Sequence, residues 1–224
     1  MSEKSSIFDM IGPVMVGPSS SHTAGVVRIG RTAYKILGET PDYAEITFFN
    51  SFARTFEGHG SDKAILAGLM GFAPDDLRIR EAIDIAQKAG IQYEFKPVGN
   101  ASTMHPNTVK VKIRKGDRET QVTGESLGGG VVRIVNVDGF PASINAQQPT
   151  LIIKASDTPG TIAFLADVIA HDGCNIATMS SSRRAKNDIA CHFIEMDSPL
   201  KPITLAYLQS VDVVKELIYF TGLE

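Results

Sequence analysis

Cysteine is scarce in this chain, and its scarcity excludes two kinds of protein. Only Cys174 and Cys191 occur among the 224 residues, too few for a secreted domain held together by disulfides. An iron–sulfur cluster usually takes three or four thiolates, so the chain cannot hold one by itself. We therefore expect two reduced thiols buried in the core, as is usual for free cysteine.

Excess charge and long apolar runs are missing too. The formal net charge is −3, and binding to a phosphate backbone needs a basic face, so a nucleic-acid-binding role is disfavoured. No run of about 18 apolar residues is present to span a membrane, and the polar N-terminus lacks the apolar core of a signal peptide. We expect a cytoplasmic protein that binds neither nucleic acid nor membrane.

The hydrophobic pattern predicts an α/β (α+β) chain with two domains. Residues 1–147 mix helical and strand patterns, whereas residues 148–224 follow the order βαββαβ, which is the ferredoxin-like arrangement. The polar stretch 145–149 between them is typical of a linker. A chain of 224 residues is long enough for two modest cores.

Four local signals organise the first domain. Apolar residues at helical spacing predict a helix from about Thr23 to Leu37, and an aromatic and β-branched run predicts a strand from Tyr43 to Phe52. Pro74 opens a third helical pattern. Asp138-Gly139 between two strand patterns predicts a hairpin.

The stretch Gly17-Pro18-Ser19-Ser20-Ser21-His22-Thr23-Ala24-Gly25 is the strongest functional signal. It leads into a predicted helix N-terminus, where backbone N–H groups lack intrahelical partners and favour an anion. The hydroxyls add donors, and His22 titrates near neutral pH. Capping alone needs fewer hydroxyls than this, so we interpret His22 as catalytic. The expected substrate-binding residues in this stretch are Ser19, Ser20, Ser21 and Thr23.

A second loop repeats this arrangement with Gly58-His59-Gly60-Ser61-Asp62 before another helical pattern. Its glycines permit a sharp turn or a close approach to a ligand, and Ser61 is placed to cap the helix. A capped turn explains the loop without function. Taken with the first loop, it makes His59 a second catalytic candidate and Ser61 a substrate-binding candidate. No metal-ligand spacing, phosphate-binding loop or dinucleotide fingerprint occurs in the sequence.

These motifs closely resemble the β subunit of the iron–sulfur-dependent L-serine dehydratases. The similarity includes the run Ile7–Pro13, the stretch 17–23 and Gly-His-Gly-Ser-Asp-Lys at 58–63, and it extends over about residues 5 to 145. The resemblance implies a chain that, with an α subunit, converts L-serine to pyruvate and ammonia without pyridoxal phosphate. It also implies a 4Fe–4S cluster that is held by the α subunit.

The C-terminal pattern resembles an ACT domain. Asp157-Thr158-Pro159-Gly160 opens its first helix, and Asp172-Gly173-Cys174-Asn175-Ile176 follows that helix. ACT domains pair and often bind amino acids where such loops meet. The resemblance implies a homodimer and a regulatory site, formed by Asp157, Gly160, Asn175 and Ile176.

A different class of function remains open at this point. The first domain also resembles the anion-binding intervening domain of some 3-phosphoglycerate dehydrogenases. That resemblance favours a regulatory chain that senses serine or a related small anion and has no catalytic role.

Overall fold

The computed structural model describes residues 14–99 and 103–223. The motif at Ile7–Pro13 lies outside these residues. The helices are α1 (Gly25–Leu37), α2 (Asn50–Thr55), α3 (Ser61–Leu69), α4 (Ala82–Lys88), α5 (Thr161–His171) and α6 (Pro202–Ser210). The strands are β1 (Tyr43–Phe49), β2 (Gln92–Val98), β3 (Thr108–Lys115), β4 (Arg118–Gly128), β5 (Val131–Val137), β6 (Phe140–Ile144), β7 (Thr150–Ser156), β8 (Ile176–Arg183), β9 (Ile189–Met196) and β10 (Val214–Phe220).

This mixture of helices and strands confirms the predicted α+β class. The contacts divide the chain into two compact units, residues 1–138 and 139–224. The division falls earlier in the chain than the boundary predicted from sequence, 147/148. It passes through the turn at Asp138-Gly139, where both residues have positive φ, as the hairpin prediction requires.

The first unit is built on a twisted sheet with helices against it. Its strands lie in the order β2-β1-β3-β4-β5, with β1 parallel to β2 and antiparallel to β3. Alternate residues of β3, Val109, Val111 and Ile113, are fully buried. Helix α1 contacts β3, β4 and α3, so its apolar stripe covers the sheet while α3 covers α1.

Helices α1 and α3 cross at two glycines. A β-carbon added at Gly68 would lie 2.3 Å from the carbonyl oxygen of Val27 and 2.9 Å from the Cα of Gly30, and one added at Gly30 would lie 2.7 Å from the carbonyl oxygen of Ile65. No side chain fits at this crossing. The close approach packs together the two helices that follow the candidate loops.

The strand predicted to run to Phe52 ends earlier. Strand β1 stops at Phe49, and α2 begins at Asn50, whose φ of 51° lies in the left-handed region. Asparagine tolerates that conformation better than most residues do. The break turns Phe52 out of the strand and onto a helix that faces the first loop.

The helix predicted after Pro74 also differs in form. A 3-10 turn at Leu77–Glu81 precedes α4. The Asp76 carboxylate accepts hydrogen bonds from the backbone and the guanidinium of Arg78. This cap holds a tight turn before the α-helix begins.

The second unit has the predicted βαββαβ order from β7 to β10. Its sheet order is β10-β7-β9-β8. One face of the sheet packs against α5 and α6 through a separate apolar cluster, which includes Leu151, Ile153, Leu165, Ile194 and Leu208. This unit therefore has its own core.

The segment predicted to be a linker is tied down within the second unit. The Glu195 carboxylate, 1% exposed, accepts hydrogen bonds from the backbone N–H groups of Asn145 and Ala146, each at 3.0 Å. Its other oxygen accepts a hydrogen bond from the Thr178 hydroxyl at 3.1 Å. A buried carboxylate with three donors is a fixed anchor, so this stretch packs as part of the unit.

Both cysteines, Cys174 and Cys191, are buried thiols, as predicted. No helix in the described part of the chain is long and apolar enough to cross a membrane.

Candidate functional site

The first loop folds into a π-helical turn. Residues Ser20–Ala24 form this turn directly before α1, and the backbone N–H of Gly25 bonds to the carbonyl of Ser20. The Ser19 hydroxyl caps the turn by accepting a hydrogen bond from the backbone N–H of His22 at 3.1 Å. Single π-turns within helices often occur at functional sites.

Two hydroxyls join this turn to the second loop. Thr23 Oγ1 donates to the carbonyl of His59 at 3.1 Å, and Ser61 Oγ donates to the carbonyl of His22 at 2.6 Å. Ser61 is fully buried and Thr23 is 2% exposed. These reciprocal bonds hold the two loops, which lie far apart in the sequence, in one fixed arrangement.

The joined loops bring the two candidate histidines together. The ring centroids of His22 and His59 are 4.8 Å apart. The Phe52 ring meets the His22 ring edge-on at 4.9 Å. Burial, and secondarily the charge of His59, lower the pKa of His22 below its ordinary value, so His22 favours the neutral form at neutral pH.

Serine hydroxyls orient the His22 ring. Nδ1 lies 2.9 Å from Ser21 Oγ and 3.4 Å from Ser19 Oγ, and the two hydroxyl oxygens are 3.3 Å apart. Nε2 is buried and has no hydrogen-bond partner among the described residues. Buried polar atoms without a partner are uncommon and call for a structural or functional explanation.

A different contact orients the His59 ring. Its Nδ1 lies 3.2 Å from the carbonyl oxygen of Thr55. Because a carbonyl only accepts, Nδ1 carries the hydrogen. In the neutral ring the lone pair is then on Nε2, so this nitrogen is able to take a proton from a ligand.

A cleft of about 440 Å³ opens beside His59. Its lining combines backbone from the first loop with apolar and basic side chains, namely Val16, Gly17, Pro18, Thr23, His59, Gly60, Lys63, Ile79 and Arg80. The volume suits a small ligand. With two cations and a histidine in the lining, the cleft favours an anion.

Ser126, near the end of β4, packs against the start of α1, directly after the π-turn. A β-carbon at Gly25 would lie 2.2 Å from Ser126 Oγ, so only glycine fits where α1 begins. Ser126 is fully buried, and its hydroxyl has no hydrogen-bond partner within the described ranges. The backbone N–H of Ser126 donates to the carbonyl of Asn107 at 3.0 Å, which fixes its position.

The structure brings together all the site residues predicted in the first unit, but these residues make different kinds of contact. Ser19, Ser21, His22 and His59 form the hydroxyl and imidazole cluster, Ser20 contributes a carbonyl within the turn, and Thr23 and Ser61 are used to join the loops. Sequence reasoning missed Phe52, Thr55, Lys63, Arg80 and Ser126. Only Lys63 carried a signal, because it follows the second loop directly.

The four predicted regulatory residues are not brought together within one chain. Asp157 follows the last residue of β7, while Asn175 and Ile176 lie where β8 begins. Both strands are antiparallel to β9, so they run parallel to each other. Strands rise about 3.3 Å per residue, so the ends of β8 are more than about 20 Å apart.

Each end of the sheet has its own local contacts. The Asp157 carboxylate accepts hydrogen bonds from Arg183 at 2.7 Å and from the backbone of Asn187 at 3.0 Å, and the Arg183 bond lowers the pKa of Asp157. Helix α5 begins after Gly160, without a side-chain cap. Asn175 donates to Asp197 at 2.7 Å.

No group of three or more His, Cys, Asp or Glu side chains suited to a metal ion occurs in the parts of the chain that the structure describes. The two buried cysteines belong to the second unit, and two thiolates do not satisfy a 4Fe–4S cluster. The residues of this chain therefore do not fit that cluster.

Comparison with known proteins connects this site to a family. The family model described as "Serine dehydratase beta chain" matches residues 6–98, which include both loops. A Bacillus subtilis (strain 168) protein named "Probable L-serine dehydratase, beta chain" is 43% identical over 86% of this chain and 87% of its own length. The "L-serine dehydratase, beta chain" of Peptoniphilus asaccharolyticus is 35% identical over 87% of this chain and 88% of its own.

A more distant relative shares most of the chain but has a different name. The "D-3-phosphoglycerate dehydrogenase" of Bacillus subtilis (strain 168) is 28% identical over 84% of this chain, which spans 36% of that protein. The two more similar relatives align over nearly their whole length. The matches to the two β chains show that this chain belongs to the serine dehydratase beta chain family.

Proposed function

We propose that this chain is the β subunit of an L-serine dehydratase, and that it converts L-serine to pyruvate and ammonia together with an α subunit. The observation that carries this proposal is the pairing of His22 and His59 by reciprocal hydroxyl bonds. The two loops that match the family thereby form a single site. Two relatives that are named as β chains, and that align over 87% and 88% of their own length, support it.

The proposed role of His59 is that of general base. Deamination of serine begins with removal of the Cα proton and loss of the hydroxyl group as water. The resulting enamine tautomerises to an imine, and hydrolysis of the imine by water gives pyruvate and ammonia. Nε2 of His59 takes the proton, because Nδ1 already donates to Thr55. His22 stays neutral and, with Ser19, Ser20 and Ser21, orients the substrate.

The remaining chemistry belongs to the partner. A 4Fe–4S cluster would supply Lewis-acid chemistry for loss of the hydroxyl group, and we assign it to the α subunit because the thiols of this chain are too few. The proposed reaction does not involve pyridoxal phosphate. We place the enzyme in the cytoplasm, where thiols such as Cys174 and Cys191 stay reduced.

For residues 148–224 we propose an ACT domain that pairs with a second copy. The open edge of β8 offers one pairing surface. Because Asp157 and Gly160 lie at the opposite end of the sheet from Asn175 and Ile176, a regulatory site that uses all four requires residues from both copies.

Reconstitution tests whether the cluster and the activity require the α subunit. The chain is purified alone under anaerobic conditions with iron and sulfide, and also with its α subunit, and pyruvate formation and visible absorbance are recorded. We expect absorbance and turnover only in the complex. A stoichiometric cluster on this chain alone would contradict the proposal. An αβ complex that contains the cluster but does not deaminate serine would instead indicate a regulatory chain.

A further inference from the structure

We propose that Lys63 and Arg80 form the carboxylate-binding subsite of the cleft beside His59, and so select substrates with a free carboxylate. This inference rests on the proposed function. It assigns a role to two side chains that do not belong to the hydroxyl and imidazole cluster.

The two cations reach the cleft from different elements. Lys63 lies in the first turn of α3, two residues after Ser61, and Arg80 lies in the 3-10 turn before α4. Both line the same cavity as His59 and the backbone of Gly17 and Pro18. A ligand in this cavity therefore meets positive charge and the proposed base together.

Neither cation is neutralised by a neighbour. Lys63 and Arg80 form no ion pair within residues 14–99 and 103–223, whereas the adjacent Arg78 pairs with Asp76 at 2.6 Å. Asp62, beside Lys63 in the chain, does not pair with it, and its Oδ1 is buried. Both positive charges are therefore available to a ligand.

The chemistry favours a small carboxylate. Two cations bond a carboxylate more strongly than they bond a neutral amide, because charge-assisted hydrogen bonds are about twice as strong. The N-terminus of α3, next to Gly60 in the lining, adds to the attraction. A carboxylate held there places the adjoining carbon of an amino acid on the His59 side of the cleft.

Binding to the chain alone gives the first test. Pyruvate, the expected product, and neutral pyruvamide are titrated into the labelled chain while the amide NMR signals of Gly60 and Lys63 are followed. We expect saturable shifts with pyruvate only, and their loss in the double variant Lys63→Met/Arg80→Met. The control Lys88→Met removes an exposed lysine of α4, outside the cleft, and keeps the shifts.

Kinetics of the αβ complex give the second test. We expect Lys63→Met and Arg80→Met each to raise the KM for serine by about 10-fold or more, the scale of a lost charged hydrogen bond, with a smaller effect on kcat. Arg80→Lys retains the charge and restores part of the affinity.

The two tests separate the two claims. Pyruvate shifts that persist in the double variant, or that are absent from the wild type, overturn the subsite whether or not the complex is active. A complex without turnover contradicts the proposed function, and the binding titration then decides the subsite alone.

Discussion

The two histidines differ in what holds them, and their proposed roles rest on this difference. His59 is anchored through Nδ1 to a backbone carbonyl, whereas His22 is anchored to serine hydroxyls and packed against Phe52. Burial and the charge of His59 lower the pKa of His22. A proton taken by His59 therefore has a neutral imidazole beside it.

The sequence predicted which residues form the site better than it predicted what they do. Hydroxyls beside a histidine at a helix start marked the first loop, but the pattern could not show that Thr23 and Ser61 are consumed in joining the loops. Ser126 was not predicted, because it reaches the start of α1 from about a hundred positions along the chain. Contacts of that range are set by sheet register.

His192 leads to a prediction about stability and pH. It is 1% exposed, and burial lowers its pKa despite the opposing charge of Asp157. Protons therefore bind the unfolded chain more tightly, so stability is lost as pH falls from the unfolded pKa of about 6.5 toward the lower folded pKa. His192→Asn should reduce this loss.

Urea unfolding at about pH 7.5 and about pH 5.5 measures the effect across that window. His171→Asn, which removes an exposed histidine of α5, is the matched control and should leave the pH dependence unchanged. The pH dependence that remains in His192→Asn is expected to come partly from His22. Equal pH dependence in wild type and His192→Asn would show that the buried imidazole does not resist protonation.

At the scale of elements, the crossing of α1 and α3 packs together the two helices that follow the candidate loops. The apolar periodicity predicted both helices, and Gly30 and Gly68 carried no signal of their own because their role depends on each other. The π-turn was not predicted either. Its hydrogen bonds, from the Gly25 N–H to the Ser20 carbonyl and from the His22 N–H to the Ser19 hydroxyl, leave no mark in the apolar spacing.

Gly68→Ala tests the crossing. Its β-carbon would lie 2.3 Å from the Val27 carbonyl oxygen, so we expect the helices to separate and the free energy of unfolding to fall by about 1–3 kcal/mol, the usual cost of overpacking. Gly58→Ala is the control, because its β-carbon would come no closer than 3.8 Å to another group. Equal stabilities for the two variants in urea would contradict the close approach.

At the scale of the whole molecule, the chain combines two units with separate cores. The βαββαβ order of the second unit was predictable because the apolar residues of each element recur at a helical or strand spacing and turn residues mark where it ends. The contact boundary was less predictable, since residues 145–149 are polar by composition but anchored by Glu195. A buried carboxylate that accepts backbone hydrogen bonds leaves no pattern in the segment it holds.

The central claim is that the paired loops act on serine through His59, and His59→Asn in the reconstituted αβ complex tests it most directly. Asparagine can still donate to the Thr55 carbonyl but lacks Nε2. The matched control is His171→Asn, whose Nδ1 also contacts a carbonyl four residues earlier, Asp167 at 2.9 Å.

The measurement is kcat for pyruvate formation, with assembly checked by light scattering. If His59 is the general base, we expect kcat to fall by about 10²-fold or more in His59→Asn, the scale of a positioned general base. We expect a wild-type kcat in His171→Asn. A wild-type kcat in a fully assembled His59→Asn complex would contradict the central claim.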